Sequence, residues 1–399
     1  SAVLPGQGHY YNPDFIINGI QERIEGYVTT ITTKIALNWL IEKRDKTKPF
    51  LLLYHQKAPH RNWKPENKYF TLFDDKEFDP PANFFDDYSN RGTAAKTQEM
   101  LVAASEEQIK AAHGNGGQAR WGHDFKMITD PYGKKTGFEN ELDRFNSDQK
   151  KDWLNAYTPK NDKMKKQNLS GKDLALWKFN RYIKDYLRTI QSVDDGVGEL
   201  LDYLDREGLS ENTIVVYTSD QGFYLGEHGW FDKRFMYEES LRTPLLIRYP
   251  KEIKPGVKIP QMIQNLDFAP TFLDYAGITA SKEFQGMSFK NIVNQKETKW
   301  RDAIYYTYYE YPSVHMVKRH YGVRTERYKL MHFYYDIDEW ELYDLKEDPS
   351  EMKNVYNNPQ YKKIKDNLHQ KLKELREEYG DSDSLDLMHI KRYVSKINE

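Results

Sequence analysis

Asp220, Gln221 and Lys233 are the side chains of this chain best suited to binding a metal ion and an anion. The first two come directly after an apolar run at 214–217, and Lys233 follows a glycine-containing loop. Carboxylate and amide oxygens are ligands that Ca²⁺ and Mg²⁺ prefer, and an ammonium group can hold a sulfate or phosphate oxygen. The alternative is that Asp220 only closes a turn and Lys233 is solvated.

A second polar group follows the apolar run 49–55, which we predict to be a buried strand. Lys57 and His60 come directly after it. His60 could donate a hydrogen bond or a proton to an ester oxygen, although a structural histidine is the alternative. His55 is a weaker candidate, because its place within the strand favours burial.

Each of these polar groups follows a predicted strand that is itself preceded by a predicted helix. The helical patterns cover 25–44 and 172–207, and a second apolar run follows the glycine loop at 245–247. Alternating helices and strands predict an α/β fold with a largely parallel sheet flanked by helices. Ligands bind at the carboxyl ends of the strands in such sheets.

The remaining segments are assigned from their periodicity. Short helices are expected within 97–113 and 139–156, and the polar span 121–171 is predicted to be an insertion over one edge of the sheet. Asp267 is expected to cap a helix that ends at Gly277.

From about residue 300 the chain changes character. Alternating aromatic runs between 304 and 345 predict a small antiparallel sheet, and 359–379 predicts an amphipathic helix. We therefore predict two domains, 1–298 and 299–399.

Composition limits the functions that the chain can have. Its 59 basic and 61 acidic side chains nearly balance, for a net charge of −2, so a nucleic-acid partner is not indicated. No apolar stretch reaches the ~20 residues that span a bilayer. The chain has no cysteine, which excludes disulfides, zinc–thiolate sites and a thiol nucleophile. The aromatic share of 14% suits sugar rings and interfaces as well as a core.

Several longer motifs resemble the sulfatase family of the alkaline-phosphatase-like superfamily. They are TSDQG, GEHGWFDKR, YEESLRTPLL and HYGVRTERYKL, and they are most similar to bacterial enzymes of the N-acetylglucosamine-6-sulfatase type. The resemblance implies that Asp220 and Gln221 bind an active-site Ca²⁺, although Gln221 replaces the commoner Asn or His. It also implies that Lys233 and His60 are catalytic residues that contact the sulfate group.

The same resemblance suggests further substrate contacts. These are Lys57, His228, His315 and His320; the last two flank a basic loop that also carries Lys318 and Arg319. A solvated basic loop is the alternative for that segment.

One essential part of the family's pattern has no match in this sequence. The family's nucleophile is a formylglycine made from a Cys/Ser-x-Pro-x-Arg motif, and this sequence contains no such motif and no early strand ending in paired Asp. We therefore expect that an N-terminal segment of the fold, with the nucleophile and further metal ligands, is missing from this sequence. The chain alone is expected to be inactive, and the incomplete sheet is expected to associate through an exposed edge.

The predicted function is hydrolysis of a sulfate ester on a glycan of the 6-O-sulfated N-acetylglucosamine type, in the periplasm or outside the cell. The alternatives are a phosphatase or phosphonate hydrolase of the same superfamily, and a non-catalytic protein that binds sulfated glycans.

Overall fold

The structure is a computed structural model that describes residues 1–113, 118–297 and 299–398, without the side chains of 393–398. The chain forms two compact units. Unit 1 comprises Ser1–Pro81, Val102–Ile109 and Ala119–Ser210, and unit 2 comprises Ala82–Leu101, Lys110–Gln118 and Glu211–Glu399. The predicted boundary at residue 298 lies outside the described residues, so the two-domain division stays a prediction. None of the described helices combines the length and the apolar character needed to cross a membrane.

Helices and strands are spread over the whole chain. The helices are α1 (Val28–Asn38), α2 (Thr93–Lys96), α3 (Glu106–Ala111), α4 (Phe138–Glu141), α5 (Ser147–Gln167), α6 (Gly171–Arg206), α7 (Glu238–Leu241), α8 (Phe268–Tyr275), α9 (Lys290–Val293), α10 (Lys362–Glu378) and α11 (Asp383–Asn398). The strands are β1 (Ala2–Val3), β2 (Asp14–Ile17), β3 (Ile20–Arg23), β4 (Val215–Thr218), β5 (Tyr224–Leu225), β6 (Phe231–Asp232), β7 (Leu245–Arg248), β8 (Ala303–Tyr308), β9 (His320–Thr325), β10 (Tyr328–Phe333) and β11 (Glu339–Asp344). Single 3₁₀ turns occupy Asn67–Tyr69, Ser210–Asn212, Glu227–Gly229, Asn265–Asp267 and Pro359–Tyr361, and a π turn, Trp39–Lys43, extends α1.

Unit 1 is built around α6, which confirms the long helix predicted at 172–207. Its apolar positions recur at helical spacing, so one stripe is buried while charged residues cover the rest. Helix α1 packs against it. The short antiparallel sheet β1–β2–β3 contributes Phe15 to an aromatic core that also contains Trp153 and Tyr157 of α5.

A buried ion cluster ties α6 to its neighbours in unit 1. The Asp185 carboxylate is fully buried and lies 3.0 Å from Lys126 Nζ and 2.9 Å from Arg188 Nη1. It also accepts a hydrogen bond from the Tyr157 hydroxyl at 2.8 Å. Although burial alone would raise the pKa of Asp185, these cations hold it below its ordinary value. The carboxylate is therefore ionised at neutral pH and compensates buried positive charge.

Unit 2 contains the predicted C-terminal sheet. Strands β8 to β11 form a four-stranded antiparallel sheet in the order β11–β10–β9–β8, with Leu330 opposite Leu342 on one side and Val323 on the other. Helix α10 buries Leu368, Leu372 and Leu375 against this sheet. The aromatic alternation and the leucine spacing thus predicted this part of the fold correctly.

The segment 82–101 belongs to unit 2 although it is surrounded in sequence by unit 1. The first turn of α2 presents backbone N–H groups that have no partner within the helix. Glu341 of β11 accepts from Gly92 N at 2.7 Å, and Glu339 accepts from Thr93 N at 2.6 Å. The segment is therefore attached to the C-terminal sheet by two carboxylates.

Strands β4 and β7 confirm the predicted runs at 214–217 and 245–247, but they pair antiparallel and only with each other among the described residues. Tyr217 and Leu246 are opposite each other and are 42% and 65% exposed. The predicted parallel arrangement is not seen between the described strands. The runs are apolar enough for a buried strand, but one side of this pair is open.

The prediction of a strand at 49–55 is wrong for the described structure. The residues form no β-ladder, and Leu51 and Leu53 are 69% and 65% exposed. An apolar run shows that a segment can form a strand, whereas a strand also needs a paired neighbour.

The span 121–171, predicted to be an insertion over one edge of the sheet, contributes to the core of unit 1. Its helix α5 buries Trp153, Tyr157 and Met164 in the core of unit 1. The charged residues on its other face conceal this pattern in the sequence.

We expect Asp185→Ala to destabilise the protein by about 3–5 kcal/mol, because removing one member of a buried ion cluster leaves the other charges uncompensated. Chemical unfolding at pH 7 measures the loss. Asp194→Ala, an exposed position on the same helix, is the matched control and should change stability by about 0.5 kcal/mol or less. Equal effects of the two substitutions would contradict a structural role for this cluster.

Candidate active site

The turn after β4 is fixed by glycine. Gly222 N donates to Ser240 O at 2.8 Å, and a Cβ atom at position 222 would lie 2.1 Å from Glu239 O, so only glycine fits there. The Asn265 side chain donates to Asp220 O at 2.7 Å. These contacts hold the backbone of the turn while the Asp220 carboxylate remains exposed.

Asp220 and Gln221 are chemically suited to a hard cation, since both offer oxygen ligands. Ser219 Oγ donates to Asp220 Oδ1 at 3.3 Å. Among the described residues no three His, Asp or Glu side chains lie close enough together to hold a metal ion. The pair can therefore supply two of the six to eight oxygen ligands that Ca²⁺ takes.

Lys233 belongs to a cluster of cations around a single buried carboxylate. Asp232 Oδ1 lies 3.7 Å from Lys233 Nζ, Asp232 Oδ2 lies 2.6 Å from Arg234 Nη1, and the same oxygen lies 3.6 Å from His315 Nδ1. We call these four residues the Asp232 cluster. Glu310 Oε2 lies 4.0 Å from Arg234 Nε, so two carboxylates face the two permanent cations. Lys233 Nζ is too far from Asp232 for a hydrogen bond, and its N–H groups can therefore donate to an anion.

Arg234 and Asp232 were missed in the sequence analysis. Arg234 has φ 102°, a left-handed conformation that costs energy for a side chain other than glycine. Its N–H donates to Ser240 Oγ at 2.8 Å, and its carbonyl accepts from the Tyr306 hydroxyl at 2.6 Å. The only signal in the sequence is the charge run Asp-Lys-Arg next to the predicted lysine.

Helix α7 fixes both ends of the loop from the turn to the cluster. Ser240 is buried; its carbonyl accepts from Gly222 N, and its hydroxyl accepts from Arg234 N. The turn that carries Asp220 and Gln221 and the Asp232 cluster are thus both held by hydrogen bonds to Ser240. Both of these parts of the predicted site lie in unit 2.

His315 lies at the tip of the loop that joins β8 to β9. The base of the loop is closed by Arg319 Nε, which donates to Tyr311 O at 2.6 Å. The Lys318 ammonium donates to the Tyr311 hydroxyl at 2.6 Å and is paired with Asp336. The predicted basic loop is therefore ordered by internal contacts, and only its tip reaches the Asp232 cluster.

His228, predicted to contact substrate, has a fully buried side chain. Its Nδ1 lies 3.2 Å from Asp86 Oδ2 and 3.3 Å from Arg91 Nη1, and burial lowers its pKa. In unit 2 it connects the glycine loop to the segment 82–101. A direct substrate contact would require this packing to open.

His320, also predicted to contact substrate, is fully buried in β9. Its ring lies 5.1 Å from that of Phe333 and 5.7 Å from that of Phe235, and its Nδ1–H donates to Lys318 O at 2.8 Å. Burial lowers its pKa from 6.5 to about 4. It is a neutral core histidine in this structure, because aromatic packing and not solvent surrounds it.

Lys57 and His60 belong to unit 1. Lys57 Nζ donates to Gln7 O at 2.8 Å and lies 4.8 Å above the Tyr10 ring, and burial lowers its pKa to about 8. His60 Nδ1 lies 2.7 Å from Arg61 O. Since a carbonyl only accepts, Nδ1 carries a proton, and exchange of a proton with a substrate would involve Nε2.

The guanidinium of the neighbouring Arg61 is paired within unit 1. It forms two hydrogen bonds of 2.7 Å to the buried Asp124 carboxylate. The charge is therefore neutralised within unit 1.

Two family models match the chain. The model described as "Sulfatase" matches residues 4–278, and the model described as "N-sulphoglucosamine sulphohydrolase, C-terminal" matches residues 226–378. The first covers the turn and the Asp232 cluster except His315, and the second covers the cluster together with the C-terminal sheet.

Curated relatives agree with these matches. The chain is 47% identical over 391 residues to an N-acetylglucosamine-6-O-sulfatase of Bacteroides thetaiotaomicron, which covers 96% of this chain and 68% of that protein. It is 34% identical to an arylsulfatase of Clostridium perfringens over 50% of this chain and 42% of that protein.

A solved structure shows the same fold. It has a TM-score of 0.86 and 46% identity, and the match covers 96% of this chain and 76% of that one. That protein was solved in complex with its substrate, D-glucosamine-2-N,6-O-disulfate.

The neutral state of His320 predicts a dependence of stability on pH. The unfolded state binds more protons than the folded state between pH 6.5 and about 4, so stability is complete above this window and falls as the pH drops through it. Between pH 7 and pH 5 we expect His320 to account for a loss of roughly 2 kcal/mol.

Unfolding free energies of wild type and His320→Phe at the two pH values measure this effect. The substitution keeps an aromatic ring and removes the titration, so the variant should lose less stability than the wild type. His113→Phe, at a mostly exposed histidine, is the control and should leave the pH dependence unchanged. The same pH dependence in all three proteins would rule out a buried neutral His320.

Proposed function

Because the chain belongs to the sulfatase family and is by family a sulfuric ester hydrolase, we propose that it acts in hydrolysis of the 6-O-sulfate ester of an N-acetylglucosamine-type sugar in a glycan. The observation that carries the proposal is the 47% identity, over almost the whole chain, to a protein named for this activity. The substrate named for the solved relative is a glucosamine with a 6-O-sulfate group, which agrees with it.

The Asp232 cluster is the proposed site for the anionic part of the substrate. Lys233 would contact a sulfate oxygen, because a compact ammonium charge can donate to it without a fixed direction. Arg234 and His315 could donate to sugar hydroxyl groups beside the sulfate. Asp232 positions Arg234 by a charge-assisted hydrogen bond of 2.6 Å, a kind about twice as strong as a neutral one.

His60 is proposed to donate to the ester oxygen that leaves with the sugar. Hydrolysis breaks the bond between sulfur and this oxygen, which must gain a proton to become a hydroxyl group. The imidazole Nε2 would supply it, while Nδ1 stays on the Arg61 carbonyl. Lys57, which belongs to the same unit, is proposed to add positive charge for the substrate.

Sulfatases generally use Ca²⁺ and a formylglycine. Asp220 and Gln221 have the right ligand chemistry for part of a calcium site, and a bound ion would stabilise negative charge on the sulfate. The formylglycine has no counterpart here, since the printed sequence lacks the motif from which it is made. We therefore assign no nucleophilic step to this chain.

The finer fold proposal concerns the open side of the β4–β7 pair. We propose that these strands belong to a larger, mostly parallel sheet, or that copies of the chain associate through this edge. The exposed Tyr217 and Leu246 support both, because an exposed apolar sheet face is stabilised when another part of a sheet or another copy covers it.

A periplasmic or extracellular location is proposed by analogy with the family.

Lys233→Ala should weaken binding of N-acetylglucosamine 6-sulfate by roughly tenfold to a hundredfold, the usual effect of a lost charge-assisted hydrogen bond. Titration calorimetry on the 399-residue chain measures the affinity. Lys254→Ala removes an exposed lysine of the same unit and should bind as the wild type does. If both variants bind equally well, Lys233 does not contact the sulfate.

The printed chain alone should release no sulfate from N-acetylglucosamine 6-sulfate or from an aryl sulfate. The sequence contains no Cys/Ser-x-Pro-x-Arg motif, and so it has no residue from which the formylglycine nucleophile of the family is made. Ion chromatography of released sulfate measures turnover. Release that disappears in Lys233→Ala would show that the chain contains a nucleophile of another kind.

A further inference from the structure

We infer that Tyr309 and Tyr335 form a platform for the sugar next to the sulfated one in a glycan chain, so that the site recognises an oligosaccharide and not only the residue that carries the ester. This inference rests on the proposed function and extends the site beyond the Asp232 cluster. It concerns unit 2 alone.

The two tyrosines differ from the other rings around this loop in their exposure. Tyr309 and Tyr335 are 44% and 45% exposed, whereas the nearby Tyr311, whose ring contacts that of Tyr335, is 8% exposed. Exposed aromatic rings of this size present an apolar face and a polar edge. A sugar ring offers the complementary surface, with C–H groups on its faces and hydroxyl groups around its rim.

Each ring is supported from behind and is therefore already in position for a ligand. His389 of α11 stacks on Tyr309 with ring centroids 5.0 Å apart and planes 11° apart. The Arg319 guanidinium lies 5.7 Å from the centre of the Tyr335 ring, and the Tyr311 ring meets it edge-on at 6.3 Å. Rings that are held in place lose little conformational entropy when a ligand stacks on them.

Polar groups that suit hydroxyl groups lie beside the rings. The Asp336 carboxylate accepts from the Tyr311 hydroxyl at 2.9 Å and pairs with Lys318, and its side chain is 32% exposed. The Glu310 side chain is 41% exposed. Carboxylates accept several hydrogen bonds at once, so these groups can bind sugar hydroxyls while keeping their present partners.

The platform is continuous with the Asp232 cluster through one loop. Tyr309 follows β8 and Tyr335 follows β10, at the end of the sheet where the loop from Tyr311 to Arg319 begins, and His315 at the loop tip lies 3.6 Å from Asp232. Three residues lie between Tyr311 and His315, so these two are at most roughly 13 Å apart. A short oligosaccharide covers that distance, whereas a protein segment would need a larger apolar area than two rings offer.

The test compares two probes on the 399-residue chain: N-acetylglucosamine 6-sulfate, and a tetrasaccharide that ends in 6-O-sulfated glucosamine. The variants are Tyr309→Ala and Tyr335→Asn; asparagine suits the positive φ of 97° at position 335. Tyr132→Ala, at a 62% exposed tyrosine of unit 1, is the matched control. Circular dichroism and thermal melting verify that each variant is folded.

We expect the wild type and the control to bind the tetrasaccharide roughly tenfold more tightly than the monosaccharide, because the neighbouring sugar adds contacts with two aromatic rings. Tyr309→Ala and Tyr335→Asn should each lose several-fold in tetrasaccharide affinity and leave monosaccharide affinity unchanged. Tight tetrasaccharide binding that depends on the tyrosines, without monosaccharide binding, would support the platform and contradict the proposed function.

Equal wild-type affinity for the two probes would overturn the platform and leave the proposed function standing. Failure of the wild type to bind either probe would overturn both. Tetrasaccharide binding unaffected by the two substitutions would place the contact with the neighbouring sugar elsewhere.

Discussion

Ser240 makes the two hydrogen bonds on which the candidate site depends. Its carbonyl fixes Gly222 behind the oxygen pair, and its hydroxyl fixes Arg234 at the cation cluster. The loop between β4 and α7 is also held by the short β5–β6 pair and by the packing of Trp230. Ser240 differs from these contacts because a single buried residue holds both ends of the loop, so displacing it would release both together.

The charges around Asp232 are the basis for proposing this cluster as the site for a sulfate ester. Lys233 and Arg234 are each about one-sixth exposed, so water screens them less than it would screen surface cations. Asp232 and Glu310 reduce the repulsion between the two cations, and Arg234 carries the shorter contacts to these carboxylates. Lys233 is therefore the cation proposed to contact the single negative charge of a sulfate monoester.

The sequence predicted those parts of the fold that depend on local periodicity. Helix α6, strands β4 and β7, and the C-terminal sheet all follow from apolar spacing. Pairing and burial were harder, because they depend on residues far away in the chain: Leu51 and Leu53 have the pattern of a strand without a partner, and His320 has the chemistry of a ligand inside an aromatic core. For the Asp232 cluster the sequence analysis predicted Lys233 and His315 as site residues but did not connect them, because His315 comes from a loop far away in the chain.

The attachment of Gly92 and Thr93 to β11 has a consequence for the order in which the protein forms. A ribosome delivers this segment long before it delivers Glu339 and Glu341, and the hydrogen bonds join residues 249 and 246 positions apart. During synthesis the segment 82–101 therefore lacks these contacts with β11, while the chain on either side of it can already fold. Unit 2 can be completed only near the end of translation, so a nascent chain exposes apolar side chains such as Met100 for most of its production. Chaperones would be needed most during that interval.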